Sequence, residues 1–432
     1  MFIMQYDINL RQILKQRRLF ILVSGVVILL ILVLQFINNR FSMSDLEVYY
    51  YAAQAFVSDH RVYGQQFGGE DTGLYKYSPF ALVFFFPLSL LPLVAAKVIF
   101  FLLIGASTVA VFLFAANLLQ NIPENGMKFS NGMLASVAGI ACSRLHRELH
   151  MGNMNMILLL MLLLMLWFIL SGKQVTAGVL FAIVLFIKPH FIILAPLFLL
   201  RKQYVLLIVA ITGVIVEVLL PALIVGVSGN WVLYGEWIQT MQLHMETFDG
   251  VYNTIYSLFL LVPKYLPVLD FGIPVKVVVI TLLSIVVVVF GWFCLGNIKR
   301  ERNMQFQIPG QSFWIEFLVL VALIPNLTYT DSEHFLLAIP LLFFLLGLMK
   351  NNTPMWFKVS VGFAMLLYGI NIHDLIGHTL SMWLGDNGAL GFSNILLILL
   401  SGYGYRRFVL SKIMDLDVSI DRGTKTGYDS LL

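Results

Sequence analysis

The run LFILVSGVVILLILVLQFI, residues 19–37, decides the class of this protein because it is apolar along almost its whole length. A helix of about 20 apolar residues spans the hydrocarbon core of a bilayer. Comparable runs recur to the C-terminus, and over the 432 residues hydrophobic types make up 59% and charged types only 12%. Soluble domains carry about 25% charged residues. The sequence therefore predicts an all-α polytopic membrane protein.

The apolar runs predict a bundle of about 12 transmembrane helices, within a range of roughly 11–13. They lie near residues 19–37, 95–119, 132–148, 153–170, 175–187, 190–200, 204–226, 274–296, 313–329, 333–349, 356–371 and 388–405. A shorter run at 79–93 contains Pro87 and Pro92. We expect it to be re-entrant, because irregular backbone at membrane depth needs surrounding protein or a water-filled cavity. We expect residues 1–410 to form one membrane domain and 411–432 a flexible cytoplasmic tail.

The charge distribution predicts the orientation of the chain. Basic residues precede the first span and acidic residues follow it, respectively Arg11, Lys15, Arg17 and Arg18, and Asp45, Glu47, Asp59, Glu70 and Asp71. Cytoplasmic loops of membrane proteins carry an excess of Lys and Arg, so the N-terminus is predicted to be cytoplasmic and the loop 38–78 external. The same rule assigns the basic clusters at 201–202, 299–302 and 406–407 to the cytoplasm. We predict a multi-pass protein of the plasma (inner) membrane with both termini inside.

Asp45 and Glu47 stand out because they lie just past the first apolar run, in a segment that continues with Tyr49, Tyr50 and Tyr51. A carboxylate at a membrane boundary is costly unless it is solvated, paired or used. Asp45 is well placed to act on a lipid-soluble substrate, although an ordinary solvated loop carboxylate is the alternative for both acids. Tyr77 lies at the end of the same loop, where an aromatic belt at the membrane interface is the competing interpretation.

Cationic side chains occur on the same predicted external side. Arg144 and Arg147 lie between two apolar runs, and arginine suits bidentate phosphate contacts. The alternative is an internally paired turn in which Glu148 neutralises an arginine. Lys188 and His190 flank Pro189; a lysine within the membrane costs roughly 3 kcal/mol and usually has an anionic partner, unless it snorkels to the interface.

Two further positions are candidates for substrate contact. His334 begins an apolar run on the predicted external face, and Asn253 follows a long external loop, where it would line a sugar pocket or cap a helix. The sequence contains no Walker A loop, dinucleotide fingerprint or HExxH motif. No cluster of metal-ligating residues demands a metal, although the sequence leaves the use of a divalent metal ion open. Nothing in the sequence indicates a nucleic-acid partner.

The stretch Ser44–Ala53 resembles the first-loop signature of glycosyltransferase family 87, the DUF2029 group. The segments Tyr75–Phe80 and Phe86–Pro92 resemble the pattern that follows it. Gly152–Asn155 is similar to the family's Gly-Gln-x-Asn turn, with Asn in place of Gln, and Ile187–His190 to its Lys-Pro hairpin. The similarity extends over residues 40–350, and it is the order of the motifs that carries it.

This resemblance implies a GT-C-like fold and an enzyme that takes a hexose, often mannose, from a polyprenyl-phosphate donor. It implies an active site on the external face, a lipid or glycan acceptor, Asp45 as general base and His334 as the family's later histidine. To these we add the donor-phosphate ligands Lys188, Arg144, Arg147 and His190, and the substrate-binding residues Glu47, Tyr50, Tyr77, Asn153, Asn155 and Asn253. Besides the donor we predict no certain cofactor. A transporter or flippase for polyprenyl-linked lipids, and a glycan polymerase or ligase, are the competing functions.

Overall fold

A computed structural model describes residues 10–58, 61–68, 73–121, 127–247, 253–266, 275–303, 312–328, 331–349 and 353–409. The structure is 84% helical, and the described residues contain no β-strand. The predicted tail at 411–432 lies outside the described residues. The helical class predicted from composition is therefore confirmed.

The helices are numbered in chain order. They are α1 Leu10–Gln16, α2 Arg18–Ile37, α3 Ser44–Ser58, α4 Pro79–Ser89, α5 Leu93–Gln120, α6 Asn131–Met151, α7 Asn155–Leu170, α8 Gln174–Ile187, α9 Ala195–Leu200, α10 Tyr204–Leu219, α11 Ala222–Thr247, α12 Ile255–Tyr265, α13 Val275–Asn303, α14 Phe313–Leu327, α15 Ile339–Leu348, α16 Met355–Gly369, α17 His373–Ile376, α18 His378–Asp386 and α19 Ala389–Gly404. Single 3₁₀ segments at Pro189–Leu194 and Ser332–Ala338 lead into α9 and α15, and a π-helical turn at Tyr405–Val409 continues α19.

Three helices are long and apolar enough to cross a membrane on their own, namely α2, α5 and most of α13. Three pairs also qualify if each is taken as one bent span: α6 with α7 at 112°, α10 with α11 at 92°, and α18 with α19 at 60°. The other apolar helices have only 10–17 residues. The described part of the chain thus has three clear spans and up to six with the bent pairs, and the expected count of about 12 stays a prediction.

The break between α6 and α7 has a local cause. Gly152 adopts a left-handed conformation with φ +75°, and its N–H bonds to the carbonyl of Glu148 at 3.0 Å, which ends α6. A Cβ at this position would lie 3.0 Å from Met43 Cε and 3.2 Å from Leu46 Cβ. Glycine therefore provides both the backbone conformation and the room for the start of α3 to pack against the turn.

The centre and the periphery of the protein are distinct. Residues Phe313–Asn326 of α14 are all buried, as are nearly all residues of α15, so these two helices form the middle of the core. Only 11% of the apolar window of α2 is buried, and the same holds for α13. The apolar surface of these two helices is turned outward, as expected for helices that face lipid.

Candidate functional site

Asp45 lies in the first turn of α3, and its carboxylate is held by the turn that separates α6 from α7. Asn153 donates from Nδ2 to Asp45 Oδ2 at 3.0 Å. Asn153 itself is fixed, because its Oδ1 accepts from the backbone N–H of Met154 at 2.8 Å. The acid at the membrane boundary is thus positioned by a rigid asparagine.

Lys188 supplies a buried cation at the end of α8. Its Nζ donates to Asn155 Oδ1 at 2.7 Å and lies 2.6 Å from His334 Nε2. An ammonium group has only donors, so the imidazole accepts through Nε2 when the lysine is charged. The Nδ1 atom of His334 is buried and has no hydrogen-bond partner among the described residues. Pro189 follows the lysine directly and disfavours helical backbone at that position, which ends α8.

Glu148 completes a chain of contacts with the lysine. Its Oε2 accepts from Asn155 Nδ2 at 2.8 Å, and its Oε1 accepts from the N–H of Met156 at 2.9 Å. Asn155 therefore bridges a buried carboxylate and a buried ammonium, and orients both. The alternative in which Glu148 neutralises an arginine of the turn is not supported, because the contacts described for its carboxylate are with Asn155 and Met156.

Arg147 is paired with a carboxylate that sequence reasoning missed. Its Nε donates to Glu333 Oε2 at 2.8 Å, and Asp331 lies nearby with 3.9 Å between Arg147 Nη2 and its Oδ1. Glu333 is 1% exposed, whereas the arginine side chain is 49% exposed and faces outward. The only signal in the sequence was the position of Glu333 directly before His334.

Arg144 lies one turn earlier on α6 and is buried. Its guanidinium carbon is 4.5 Å from the ring centroid of Tyr368, and its Nε and Nη1 atoms have no hydrogen-bond partner among the described residues. His190 is similar in one respect: its Nε2 is buried and without such a partner, while its ring centroid lies 6.5 Å from that of His334. These two predicted phosphate ligands keep unused donor or acceptor capacity.

Tyrosines form a wall beside Asp45. The hydroxyl of Tyr49 donates to that of Tyr77 at 3.0 Å, and the hydroxyl of Tyr63 donates to the carbonyl of Tyr77 at 2.8 Å. The carboxylate of Asp45 lies within electrostatic range of the Tyr49 and Tyr77 phenols. The charge of Asp45 thus acts on both phenols, and Tyr49 is a residue that the sequence analysis did not assign.

Three other predicted substrate residues make contacts of a different kind. Glu47 is ion-paired with Lys97 of α5, and Tyr50 donates to the carbonyl of Leu91 at 2.7 Å. The Oδ1 atom of Asn253 accepts from the N–H of Gly391 at 3.0 Å, at the start of α19. The contacts described for these side chains therefore hold helices and loops together and do not include Asp45 or Lys188.

The electrostatics of the cluster act on Asp45 in opposite directions. Burial raises the pKa of Asp45 to about 7, with further increases from Glu333 and Asp331, while Lys188 and Lys76 lower it. A carboxyl group that titrates near neutral pH is suited to accept a proton from a hydroxyl group. The arrangement combines such an acid with a buried cation, and that combination supports transfer of a group carried on an anionic leaving group.

Comparison with known proteins gives one match. A family model described as glycosyltransferase family 87 matches residues 75–308, which is more than half of the chain. The matched range includes Tyr77, Glu148 and Lys188, whereas Asp45 and His334 lie outside it. Searches of curated proteins and of solved structures find no match.

Proposed function

Since this chain belongs to glycosyltransferase family 87, we propose that its Asp45 cluster transfers a hexose from a polyprenyl-phosphate donor to an acceptor. We propose a mannose-like sugar and a lipid or glycan acceptor on the external side of the plasma membrane. The membrane glycosyltransferase class follows from the family and the apolar helices. The GT-C-like arrangement with about 12 crossings is part of the proposal.

One observation carries this proposal: a single turn holds both the acid and the cation. Asn153 binds Asp45, and Asn155, two residues later, binds Lys188. Both asparagines follow Gly152, whose left-handed backbone creates the turn. A donor headgroup between these side chains would meet the ammonium with its phosphate and leave the acceptor hydroxyl next to the carboxylate.

The reaction is a direct displacement. The acceptor oxygen forms a bond to the anomeric carbon of the sugar, and its proton passes to the carboxylate of Asp45. The bond between the anomeric carbon and the phosphate oxygen breaks, and its electron pair leaves with the polyprenyl phosphate. General-base assistance of this kind contributes about 10²–10⁴-fold. Attack opposite the leaving group inverts the anomeric centre.

The cationic side chains stabilise the charge that develops on the leaving phosphate. Lys188 is fixed by Asn155 and His334, so it requires no reorganisation as that charge grows. Arg147 is partly exposed, and Arg144 and His190 have unsatisfied nitrogens, so we assign all three to the donor phosphate. We assign His334 to contact with phosphate or acceptor.

The remaining assignments differ in their support. Tyr77, Asn153 and Asn155 border the cluster, and we propose that they position the substrate. Substrate contacts by Glu47, Tyr50 and Asn253 stay predictions, since the contacts described for them hold helices and loops together. The proposal also leaves open whether the reaction uses a divalent metal ion.

The test is transfer by purified Asp45→Asn protein in proteoliposomes, with a panel of radiolabelled polyprenyl-phosphate sugars and product measured in lipid, glycan and protein fractions. We expect a loss of about 100-fold or more, because the amide cannot take the acceptor proton. Asp386→Asn changes an exposed carboxylate at the end of α18 and is the matched control, with wild-type rate expected.

The same experiment separates the competing functions. Equal rates for Asp45→Asn and wild type would show that Asp45 is not the base. Movement of the labelled lipid between leaflets without sugar transfer, in wild type and variant alike, would favour a flippase. Transfer of preassembled glycans in place of single sugars would favour a polymerase or ligase.

A further inference from the structure

A recess lies away from Asp45, between the outward-facing helix α13 and the helices α14 and α19. Its volume is about 1020 Å³. Its walls are apolar and include Val289 and Phe290 of α13, Val319 of α14 and Ile398 of α19. Because α13 is largely exposed along its apolar length, the recess is a groove open at the side of the protein that would face lipid.

One end of the groove is basic. Arg300 in the last turn of α13 lines it, together with Arg406 and Arg407 of the π-helical turn after α19. π-Helical turns are rare and are frequently found at functional sites. An elongated apolar groove that ends in three guanidinium groups matches an amphiphile with an anionic head.

Arg406 is held in place at this end. Its guanidinium carbon lies 4.7 Å from the ring centroid of Trp292 and 4.8 Å from that of Phe293, and its Nη2 donates to the Phe293 carbonyl at 3.1 Å. Its Nε is buried and has no hydrogen-bond partner among the described residues. A Cβ at Gly296 would lie 3.0 Å from Arg406 Nη2, so the glycine leaves room for the guanidinium.

Two carboxylates close to Arg300 in the chain, Glu301 and Glu316, bind other groups. Glu301 follows Arg300 directly, yet its carboxylate accepts from Arg201 Nη1 at 2.8 Å and from the Ser312 N–H at 2.7 Å. Glu316 accepts from Arg201 Nε at 2.8 Å. The sequence between these two glutamates contains no other acidic residue. The contacts described for these two glutamates therefore do not include Arg300, Arg406 or Arg407.

We propose that this groove is a binding site for an acidic phospholipid, with its phosphate at Arg300, Arg406 and Arg407 and its acyl chains along α13. Arginine binds phosphate through paired N–H donors. Basic pockets between transmembrane helices on the cytoplasmic side bind anionic headgroups, and the sequence assigns this end to the cytoplasm. The site is separate from the sugar-transfer cluster and does not depend on it.

The test is competition between two lipids for the intact protein. Purified protein is exchanged into nanodiscs that contain equal amounts of phosphatidylglycerol and phosphatidylcholine, and the lipids retained after transfer to detergent are counted by native mass spectrometry. We expect wild type to retain phosphatidylglycerol preferentially. Arg300→Gln, at an exposed position, should reduce that preference about fivefold, and Arg406→Gln at least as much.

The control is Arg18→Gln, which removes an exposed arginine on the same predicted side but outside the groove, and which should keep the wild-type preference. Because Arg406 also packs on two rings, Arg300→Gln provides the decisive comparison if the other variant is unstable. Equal retention of the two lipids by wild type, or an unchanged preference in Arg300→Gln, would overturn the proposal. The proposal would also be overturned if the chain's own tail or a partner helix filled the groove and excluded lipid.

Discussion

The Asp45 cluster and the Arg201 network are both built from buried charges, yet their hydrogen bonding differs. Arg201 uses Nε, Nη1 and Nη2, which bind Glu316, Glu301 and Ser312 at distances from 2.5 to 2.8 Å. In the cluster around Asp45, by contrast, buried nitrogens of His334, His190 and Arg144 lack a hydrogen-bond partner among the described residues. The satisfied guanidinium of Arg201 joins helices, whereas nitrogens without a partner keep donors and acceptors for a ligand.

We also expect the loss of each region to affect a different property of the protein. The Arg201 network connects α9, α13 and α14 by ion pairs, so its loss is expected to affect folding first. The Asp45 cluster is assembled on a turn and on helix ends, where changes are expected to affect catalysis first. Three substitutions test this division.

The largest effect is expected for Arg201→Met. It would leave Glu301 and Glu316 buried without their cation, and breaking a buried pair from one side costs about 3–5 kcal/mol. We expect a correspondingly lower free energy of unfolding, measured by denaturation in mixed micelles. The adjacent exposed Lys202→Met is the matched control and should be near wild type. Equal stability of the two variants would contradict a structural role for the network.

A smaller effect is expected for Lys188→Met, and on a different quantity. Loss of a hydrogen bond to a charged group costs about 1.5–3 kcal/mol, so kcat/KM for the polyprenyl-phosphate donor should fall about 10- to 150-fold, through a lower kcat and a higher KM for the donor. The KM for the acceptor should stay the same. Lys173→Met changes an exposed lysine at the other end of α8 and should alter neither value. A similar rise in both KM values would argue against phosphate binding by Lys188.

The smallest effect concerns pH. Transfer needs the deprotonated Asp45, whose pKa is raised to about 7, so kcat/KM should rise with pH up to this value and then level off. Glu333→Gln removes a charge that raises the pKa of Asp45, and the profile should move to lower pH by up to about one unit. Asp386→Asn should leave it in place. A shift to higher pH in the Glu333 variant would disprove this electrostatic coupling.

Part of the site was accessible to sequence reasoning. The sequence singles out Asp45, Lys188 and His334 as polar residues beside apolar runs, and Asn153 and Asn155 through the resemblance to the family's turn. The structure brings these five residues into one cluster. Their roles in the reaction stay predictions. Glu333 and Tyr49 were not assigned, because a carboxylate before a histidine and a tyrosine among tyrosines carry no distinctive spacing.

The sequence alone did not predict which residues far apart in the chain pair with each other. Arg147 and Glu333 are 186 residues apart, and Asp45 and Asn153 are 108 apart. The partner of Glu47 is Lys97, fifty positions away on α5, although a solvated carboxylate was the ordinary expectation. No local pattern encodes such contacts, since they depend on how helices pack.

The amino-acid sequence by itself determined the membrane class and the helical secondary structure, because the transfer of apolar residues into lipid is a local property of each segment. It also determined the family, because the order of short motifs along the chain is a property of the sequence. Only the tertiary structure decided which buried polar groups have hydrogen-bond partners and which do not. It also decided that the 112° bend after Gly152 brings an acid and a lysine to one turn. The physical reason is that electrostatic energies depend on distance and burial, which exist only after the helices have packed.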